Sequence, residues 1–288
     1  MATLGSNVTR AIAQTAEYIQ ERWTRDIQQP FDVKLQAAKL VQDRSGLVSD
    51  GGDVIRVPFT ATVNARVKAA STAITYDSPE GTPVNIAIDQ HYYVGVLIED
   101  IAKVQSNYSL KEAFQERMAE ALARQTDTSI LALYASAGQT VAAGANLDDA
   151  DMLAVVAAFD SSNTPDDGLR RGIIGNNSKI DLLGINKYNA YDQTGKIGTA
   201  VAGAPNSGLV GSVYGIDIFH SQNVPTSTTG RNLFFHKNAI TKAIQQKPKF
   251  EMEYSVDQLG WKTALHSIWG VGVERAQSVI QVTRTTAP

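Results

Sequence analysis

A long helical pattern between residues 109 and 138 constrains the fold most strongly. Ser109 and Glu112 have the spacing of a capping box, in which each side chain accepts a hydrogen bond from the other residue's backbone N–H. Gly138 is a residue type that is common just after a helix. Between these two signals, apolar residues follow one helical stripe: Leu110, Phe114, Met118, Ala121, Leu122, Ile130, Leu131 and Tyr134. About 28 residues at 1.5 Å each predict a helix of roughly 40 Å. Because no heptad repeat is present, we expect a single strut across the molecule rather than a coiled coil.

Residues 54–98 predict two strands that flank a long polar excursion. A turn-forming cluster at 77–83 closes the excursion, whose middle carries few apolar residues. Period-two alternation marks the two strands at Ile55, Val57 and Phe59 and at Val84, Ile86 and Ile88. An isolated hairpin is at best marginally stable in water. We therefore expect a partner surface, supplied either by the same domain or by another chain.

The N-terminal region predicts a separable amphipathic segment. The break at 28–30, Gln-Gln-Pro, isolates it from the rest of the chain. Its apolar residues recur at nearly helical spacing: Val8, Ile12, Ala16, Ile19, Trp23 and Ile27. Two interpretations stay open: a short helix packed on its own domain, or an arm that packs on a neighbour.

Three carboxylates, Asp148, Asp149 and Asp151, have two explanations. They stand at the start of an apolar helical run that ends near Phe159, where the helix dipole favours negative charge. They also invite a metal site. We favour the helix start because it explains the carboxylates without a metal.

The region after residue 164 alternates between strand and helix. A turn at 164–168 leads into a predicted strand at 171–176 and a helix that begins near Ser178, which indicates a compact α/β subdomain. Residues 184–215 contain seven glycines, and long stretches without regular structure are usually functional or mobile. Further strands are predicted at 214–220, 233–236 and 239–245, and a terminal pair of strands at 269–273 and 279–282.

Composition excludes several classes of protein. The chain has 288 residues, enough for one or two domains, and no cysteine, which rules out disulfides and thiolate metal sites. Its net charge of −3 is unlike that of a dedicated nucleic-acid binder. No run of 18 apolar residues predicts a membrane span, and charged residues within the first 30 positions are unlike a signal peptide, so we expect the chain on the cytoplasmic side.

The proportion of charged residues is low, at 19% against about 25% in an ordinary soluble domain. Neutral polar residues replace most of the missing charge. One interpretation is compositional drift. The other is that much of the surface faces protein rather than water, because interface cores are depleted in charge.

No motif anchors an enzyme. The four histidines show neither an i, i+4 pair nor a neighbouring set of carboxylates. Gly195-Lys196 lacks the preceding glycine and the following Ser or Thr of a phosphate loop, and Gly270-Val271-Gly272 stands in a β context rather than opening a helix. We therefore expect no enzyme activity, no cofactor and no metal.

The order of the segments carries a resemblance that no single motif shows. A strand at 52–58, Gly-Asp-Val-Ile-Arg-Val-Pro, leads into the excursion, and strand 84–89 returns into 92–100. The long helix contains Ala-Glu-Ala-Leu-Ala-Arg-Gln-Thr-Asp at 119–127. Then follow short segments at 171–174, 211–218, 221–225 and 236–239 and a final Gly-Val-Gly-Val-Glu-Arg strand at 270–275. Taken together over nearly the whole chain, these segments resemble the major capsid protein family of tailed bacteriophages, with the Hong Kong 97-like fold.

The resemblance implies an α+β fold with five segments. Residues 1–49 would form an N-terminal arm, and 50–88 an extended β-hairpin E-loop that lies on an adjacent subunit. A peripheral domain would take 89–140, with the long spine helix, and the C-terminal strands in 246–288. An axial α/β domain would take 141–245, its glycine-rich loop pointing toward the centre of a capsomer.

The resemblance also implies function and partners. The chain would be a structural subunit that assembles with itself, as hexamers and pentamers, into the icosahedral shell around the double-stranded DNA of a phage. Scaffolding, portal and decoration proteins are further partners, the DNA contact is non-specific, and the location is the virion, with assembly in the host cytoplasm. The alternatives are an encapsulin-like nanocompartment shell and, more weakly, a soluble α/β enzyme. Candidates for contacts between subunits are Trp23, Arg66, Lys68, Glu80, Tyr188, Tyr191 and Lys196.

Lys68 raises one further question. Some members of the family form isopeptide cross-links between an E-loop lysine and an asparagine of another subunit, and Lys68 is the only lysine between positions 40 and 102. We favour an ordinary solvated or salt-bridging lysine. A single band at the monomer mass in denaturing electrophoresis of mature particles would exclude the cross-link.

Overall fold

The computed structural model of the chain describes residues 36–49, 51–59, 63–76, 81–100, 110–189, 209–226 and 229–285. In these residues the α-helices are α1 (Ala37–Leu40), α2 (Leu110–Leu131), α3 (Asp149–Ser161), α4 (Asn176–Gly184) and α5 (Asn186–Asn189). The strands are β1 (Gln42–Asp43), β2 (Val54–Val57), β3 (Val84–Ala87), β4 (Gln90–Glu99), β5 (Gln139–Ala143), β6 (Arg170–Ile174), β7 (Leu209–Val213), β8 (Ile216–His220), β9 (Thr229–His236), β10 (Ile240–Ser255), β11 (Gly260–Val273) and β12 (Val279–Thr285). The mixture of helices and strands is that of the predicted α+β fold.

A four-stranded sheet with the order β1-β10-β11-β4 packs against the middle of α2. Strands β10 and β11 form a long antiparallel hairpin, β4 continues the sheet antiparallel to β11, and β1 runs parallel to β10. Met118 and Leu122 of α2 are buried against Leu265 and Trp269 of β11. This contact uses the apolar stripe of the helix, as the sequence pattern predicted.

A six-stranded sheet with the order β5-β12-β9-β6-β8-β7 is buried on both faces. Successive strand residues point to opposite faces. One face packs on α3 and α4 through Ile174, Phe234, Ile280 and Val282. The other face packs on α1 and the C-terminal end of α2 through Ile173, Leu233, Phe235 and Val279. Helix α2 therefore bridges the two sheets, which is the strut that its length predicted.

The strands β2 and β3 form a two-stranded antiparallel sheet at the base of the predicted excursion. Ile55, Ile86 and Ile88 are buried there with Val48 and Ala243. The base therefore has a core that it shares with the four-stranded sheet.

A close backbone contact also fixes this base. A Cβ at Gly270 of β11 would lie 2.3 Å from the carbonyl oxygen of Ala87 and 3.0 Å from Cα of Ile88. Only a residue without a side chain permits this approach. The position of Gly270 therefore sets how closely β11 and the excursion's base approach each other.

The α-helical part of the long helix ends earlier than predicted, at Leu131. α2 spans 22 residues, roughly 33 Å at 1.5 Å each, and continues as a 3₁₀-helix over Ala132–Ser136. The backbone N–H of Gly138 donates to the carbonyl oxygen of Ala276 at 2.9 Å, and a Cβ at Gly138 would lie 2.6 Å from the same oxygen. This contact uses Gly138 for packing rather than as a helix cap. Ser109, the predicted cap at the other end, lies outside the described residues.

The predicted terminal pair of strands is wrong. β11 pairs with β10 and β4, whereas β12 pairs with β9 and, in parallel, with β5. The C-terminal strand of segment 246–288 thus belongs to the six-stranded sheet, not to the sheet that carries β11. Val279 on one face of this strand and Ile280 and Val282 on the other are buried, as in an interior strand of a doubly covered sheet. Among the described residues, none of the helices combines the length and apolar character needed to cross a membrane.

Candidate subunit-contact surfaces

Residues 63–76, which we call the distal excursion, lie beyond the buried base and are exposed throughout. Val67 is fully exposed, at 101%, and Tyr76 is 89% exposed; Val63 and Ile74 are also exposed. The segment contains Arg66 and Lys68 and no acidic residue. Large apolar side chains grouped on one unsupported segment are typical of an interaction site.

The distal excursion turns back on itself without forming strands. The backbone N–H and the hydroxyl of Thr72 both donate to the carbonyl oxygen of Ala69, at 3.4 and 2.7 Å. Ser71 has a φ of 63°, the left-handed region that favours glycine. The Arg66 guanidinium donates to the Thr75 hydroxyl at 3.0 Å across the two sides of the turn. Local polar contacts therefore hold this segment, and its apolar side chains remain in solvent.

A buried carboxylate anchors the first described residues. Asp127 of α2 is fully buried and accepts from the backbone N–H groups of Gln36, at 3.3 Å, and Ala38, at 3.0 Å. Burial raises the pKa of this carboxyl group, and the hydrogen bonds from the backbone oppose the shift. The Arg171 guanidinium donates to the carbonyl oxygen of Leu40 at 2.7 Å. Both ends of α1 are thus fixed to the rest of the molecule.

An ion pair holds the chain just after α1. Arg44 forms two hydrogen bonds with Glu274, at 2.6 and 3.0 Å, and the Glu274 side chain is 8% exposed. Paired Arg–carboxylate hydrogen bonds of this kind are among the stronger polar contacts in proteins. Residues 36–48 are therefore a fixed point from which the N-terminal segment departs.

The Asp149 carboxylate accepts hydrogen bonds from residues on both sides of segment 190–208. That segment lies outside the described part of the chain. The hydroxyls of Tyr188 and Tyr214 donate to Oδ1 of Asp149 at 2.5 and 2.6 Å, and Nζ of Lys187 donates to Oδ2 at 2.9 Å. These three donors lower the pKa of Asp149 to about 2. One carboxylate therefore joins α3, α5 and the turn between β7 and β8.

The carboxylates at 148 and 151 act as a helix start. Asp148 accepts from the backbone N–H of Asp151 at 3.0 Å, and Asp151 accepts from that of Asp148 at 3.0 Å, a complete capping box. Within the described ranges, no group of three or more His, Asp or Glu residues is arranged to hold a metal. The hydrogen bonds account for these carboxylates.

The predicted contact residues fall into three groups. Arg66 and Lys68 lie together on the exposed distal excursion. Tyr188 is only 4% exposed and packs within its own chain in the core beside α3, and its contact with another subunit stays a prediction. The remaining candidates, Trp23, Glu80, Tyr191 and Lys196, lie outside the described residues.

Sequence reasoning did not identify Asp127 or the full role of Asp149. Asp127 had a usable signal, because it precedes Ile130 and Leu131 by three and four positions and so shares their buried helical face. Asp149 had none beyond its place at a helix start, since Tyr188 and Tyr214 are distant along the chain. Only the fold brings those three residues together.

Comparison with solved structures finds the same fold in phage particles. A chain of the Mycobacterium phage Che8 structure matches with a TM-score of 0.79 at 23% identity, covering 92% of this chain and 97% of that chain. A chain of the capsid structure of the cyanophage P-SCSP1u matches with a TM-score of 0.72 at 18% identity, over 94% of each chain. A chain of the native GTA particle capsid matches with a TM-score of 0.71 at 11% identity, covering 99% of this chain and 100% of that chain.

No protein-family model and no curated protein matches the sequence. At these identities the structural likeness shows the fold, which is the one that the order of segments predicted. Evidence for function comes from the subunit-contact surfaces, above all the distal excursion.

Proposed function

We propose that the chain is a major capsid protein, a structural subunit that assembles with itself into the icosahedral head shell of a tailed phage. The observation that carries the proposal is the distal excursion: an exposed, partly apolar segment without a core, projecting from a fold that phage capsid chains share. A second copy of the chain would supply the surface that this segment lacks. The role is structural rather than enzymatic.

The energetics favour assembly through many modest contacts. Fully burying a side chain such as Val67 contributes about 1.5–3 kcal/mol. Four such side chains on each excursion, repeated over every subunit, suffice to drive a shell while each single contact remains reversible. Arg66 and Lys68 add a positive charge to the excursion, whereas the whole chain carries a net charge of −3. Complementary charge of this kind sets orientation more than affinity.

In this assembly each segment of the chain has a proposed role in the subunit. Residues 1–49 form the arm, 50–88 the E-loop, 89–140 the peripheral domain with the spine helix, and 141–245 the axial domain. Strands β10 and β11 belong with the peripheral part, and β12 completes the axial sheet. Partners beyond the chain itself are packaged double-stranded DNA and the scaffolding, portal and decoration proteins of a phage. The location is the virion, after assembly in the host cytoplasm.

Electron microscopy of the purified full-length protein tests the proposal. Closed shells of uniform size are expected after a screen of salt, pH and crowding conditions. Monomers or small oligomers under every condition would overturn it. The nucleic-acid content of native particles then distinguishes a head that contains a genome from the nanocompartment alternative, which packages protein. The structural comparisons give that alternative no support.

A further inference from the structure

A groove lies between α1, α2 and the β10–β11 hairpin, outside the surfaces described above. Its volume is about 290 Å³, and its lining is mostly apolar. Six of the residues that line it are Ala38, Ala119, Ala123, Thr126, Pro248 and Trp269. The volume corresponds to roughly ten water molecules at about 30 Å³ each, enough for one large side chain.

The sequence of α2 explains why the groove is open. Ala119, Ala123 and Thr126 follow one another at spacings of four and three, so small side chains line this face of the helix. Ala119 and Ala123 are exposed, although their neighbours Met118 and Leu122 are buried. The groove is therefore an apolar surface that the described residues leave uncovered.

Trp269, one of the residues that line the groove, also carries an unsatisfied polar atom. The indole N–H of Trp269 is buried and has no hydrogen-bond partner among the described residues. A buried donor without an acceptor costs about 1–3 kcal/mol.

The N-terminal segment begins at this groove. The backbone N–H of Gln36 is held by Asp127, the residue after Thr126, and Ala38 lines the groove itself. The 35 residues before Gln36 therefore leave the described structure at the end of the groove. Trp23 precedes Gln36 by thirteen residues, which span up to roughly 45 Å when extended. The break at Pro30 separates the helical pattern of residues 8–27 from the described residues.

We propose that the groove binds the apolar face of residues 8–27 of the same chain, with Trp23 as the anchor. That face is the stripe from Val8 to Ile27, which needs an apolar surface to cover it. Tryptophan buries a large area in one compact group, in keeping with the size of the groove. Lys39 on the rim is exposed, and in the proposed arrangement its positive charge would complement Asp26, which follows Trp23 by one helical turn in the sequence. The inference concerns a single chain and does not depend on shell assembly.

Engineered disulfides test the occupant directly, because the chain has no cysteine of its own. Ala123→Cys is combined with Ile19→Cys or with Ile27→Cys, the stripe residues one turn from Trp23 on either side. Disulfides need Cα atoms within about 7 Å. The matched control replaces Ala123→Cys by Ala121→Cys, an exposed position on the opposite side of α2 that does not line the groove.

We expect at least one Ala123 pair to lose both free thiols on oxidation while the protein stays a monomer in non-reducing denaturing electrophoresis. The Ala121 pairs should keep their thiols. Disulfide-linked dimers would overturn the proposal in favour of a neighbour's segment in the groove. Free thiols in both Ala123 pairs would overturn it outright.

Limited proteolysis gives a second readout without cysteines. Trp23→Ala, which removes the anchor, and Ala123→Trp, which fills the groove, should each speed tryptic cleavage after Arg22 and Arg25 at least roughly tenfold. Circular dichroism and urea unfolding show whether each variant is folded. Cleavage at the wild-type rate in both folded variants would contradict the proposal.

Discussion

Replacing Val67 by aspartate separates the stability of the subunit from the stability of a shell. Val67 is fully exposed and contacts no core, so the substitution should change the free energy of unfolding of the unassembled subunit by less than about 0.5 kcal/mol. If a neighbouring subunit covers this side chain, the loss per contact is at least about 2 kcal/mol, from lost apolar burial and the cost of desolvating a carboxylate. That energy corresponds to about a thirtyfold weaker contact.

The assay compares Val67→Asp with Ile86→Ala. Ile86 is 2% exposed in the core of the excursion's base, so its truncation should cost the subunit itself about 2–5 kcal/mol. Urea unfolding measures the subunits, and light scattering measures the lowest concentration at which shells form. We expect Val67→Asp to raise that concentration about thirtyfold with an unchanged unfolding midpoint. Assembly at the wild-type concentration, or an unfolding free energy lowered by more than about 1 kcal/mol, would refute the reasoning.

Three further predictions concern stability. Gly270→Ala should cost at least about 2 kcal/mol in urea unfolding because its Cβ meets the carbonyl oxygen of Ala87, whereas Gly144→Ala, which meets nothing within 4 Å, should stay within about 0.5 kcal/mol. Asp149→Asn should cost about 1–2 kcal/mol at pH 7. Because the folded pKa of Asp149 is lowered to about 2, its contribution is present above the unfolded pKa of about 3.9, and the difference from wild type should disappear as the pH falls from about 4 to 2. A difference that persists at pH 2 contradicts the assignment. Asp127→Ala should cost about 2–4 kcal/mol in the same assay, because two backbone N–H groups lose their buried acceptor, and a neutral result would show that water replaces the carboxylate.

The sequence predicted those helices and segments whose structure depends on interactions between residues close together in the chain. The helix that begins at Asp149 was readable because Asp148 and Asp151 satisfy each other's backbone within four residues. The apolar stripe of α2 likewise predicted the buried residues Met118, Leu122, Ile130 and Leu131, whereas Phe114 and Ala121 of the same stripe are exposed. The polar, sparsely apolar excursion predicted a segment in need of a partner surface, and the exposed residues 63–76 agree with that expectation.

The sequence did not predict which distant strands pair with each other. The segment Val279–Val282, apolar except for Gln281, marks a buried strand, but nothing in it selects β5, about 140 positions earlier, as its parallel neighbour. The contact between Gly138 and Ala276, which follows the 3₁₀-helix after α2, is likewise not revealed by the pattern of either segment. The meeting of Tyr188, Tyr214 and Asp149 is equally a product of the fold. Chemistry that spans separate elements was therefore the part that only the structure supplied.

Hydroxyl-radical footprinting of the distal excursion, before and after assembly, tests the central claim most directly. Tyr76 is 89% exposed and Ile74 is also exposed in the single chain, so both should be oxidised readily in unassembled subunits. Phe234, which is fully buried, should be protected in both states and serves as the internal control. We predict strong protection of Tyr76 and Ile74 in assembled particles. Equal oxidation in subunits and particles would contradict the account, because the excursion would then face solvent rather than another copy of the chain.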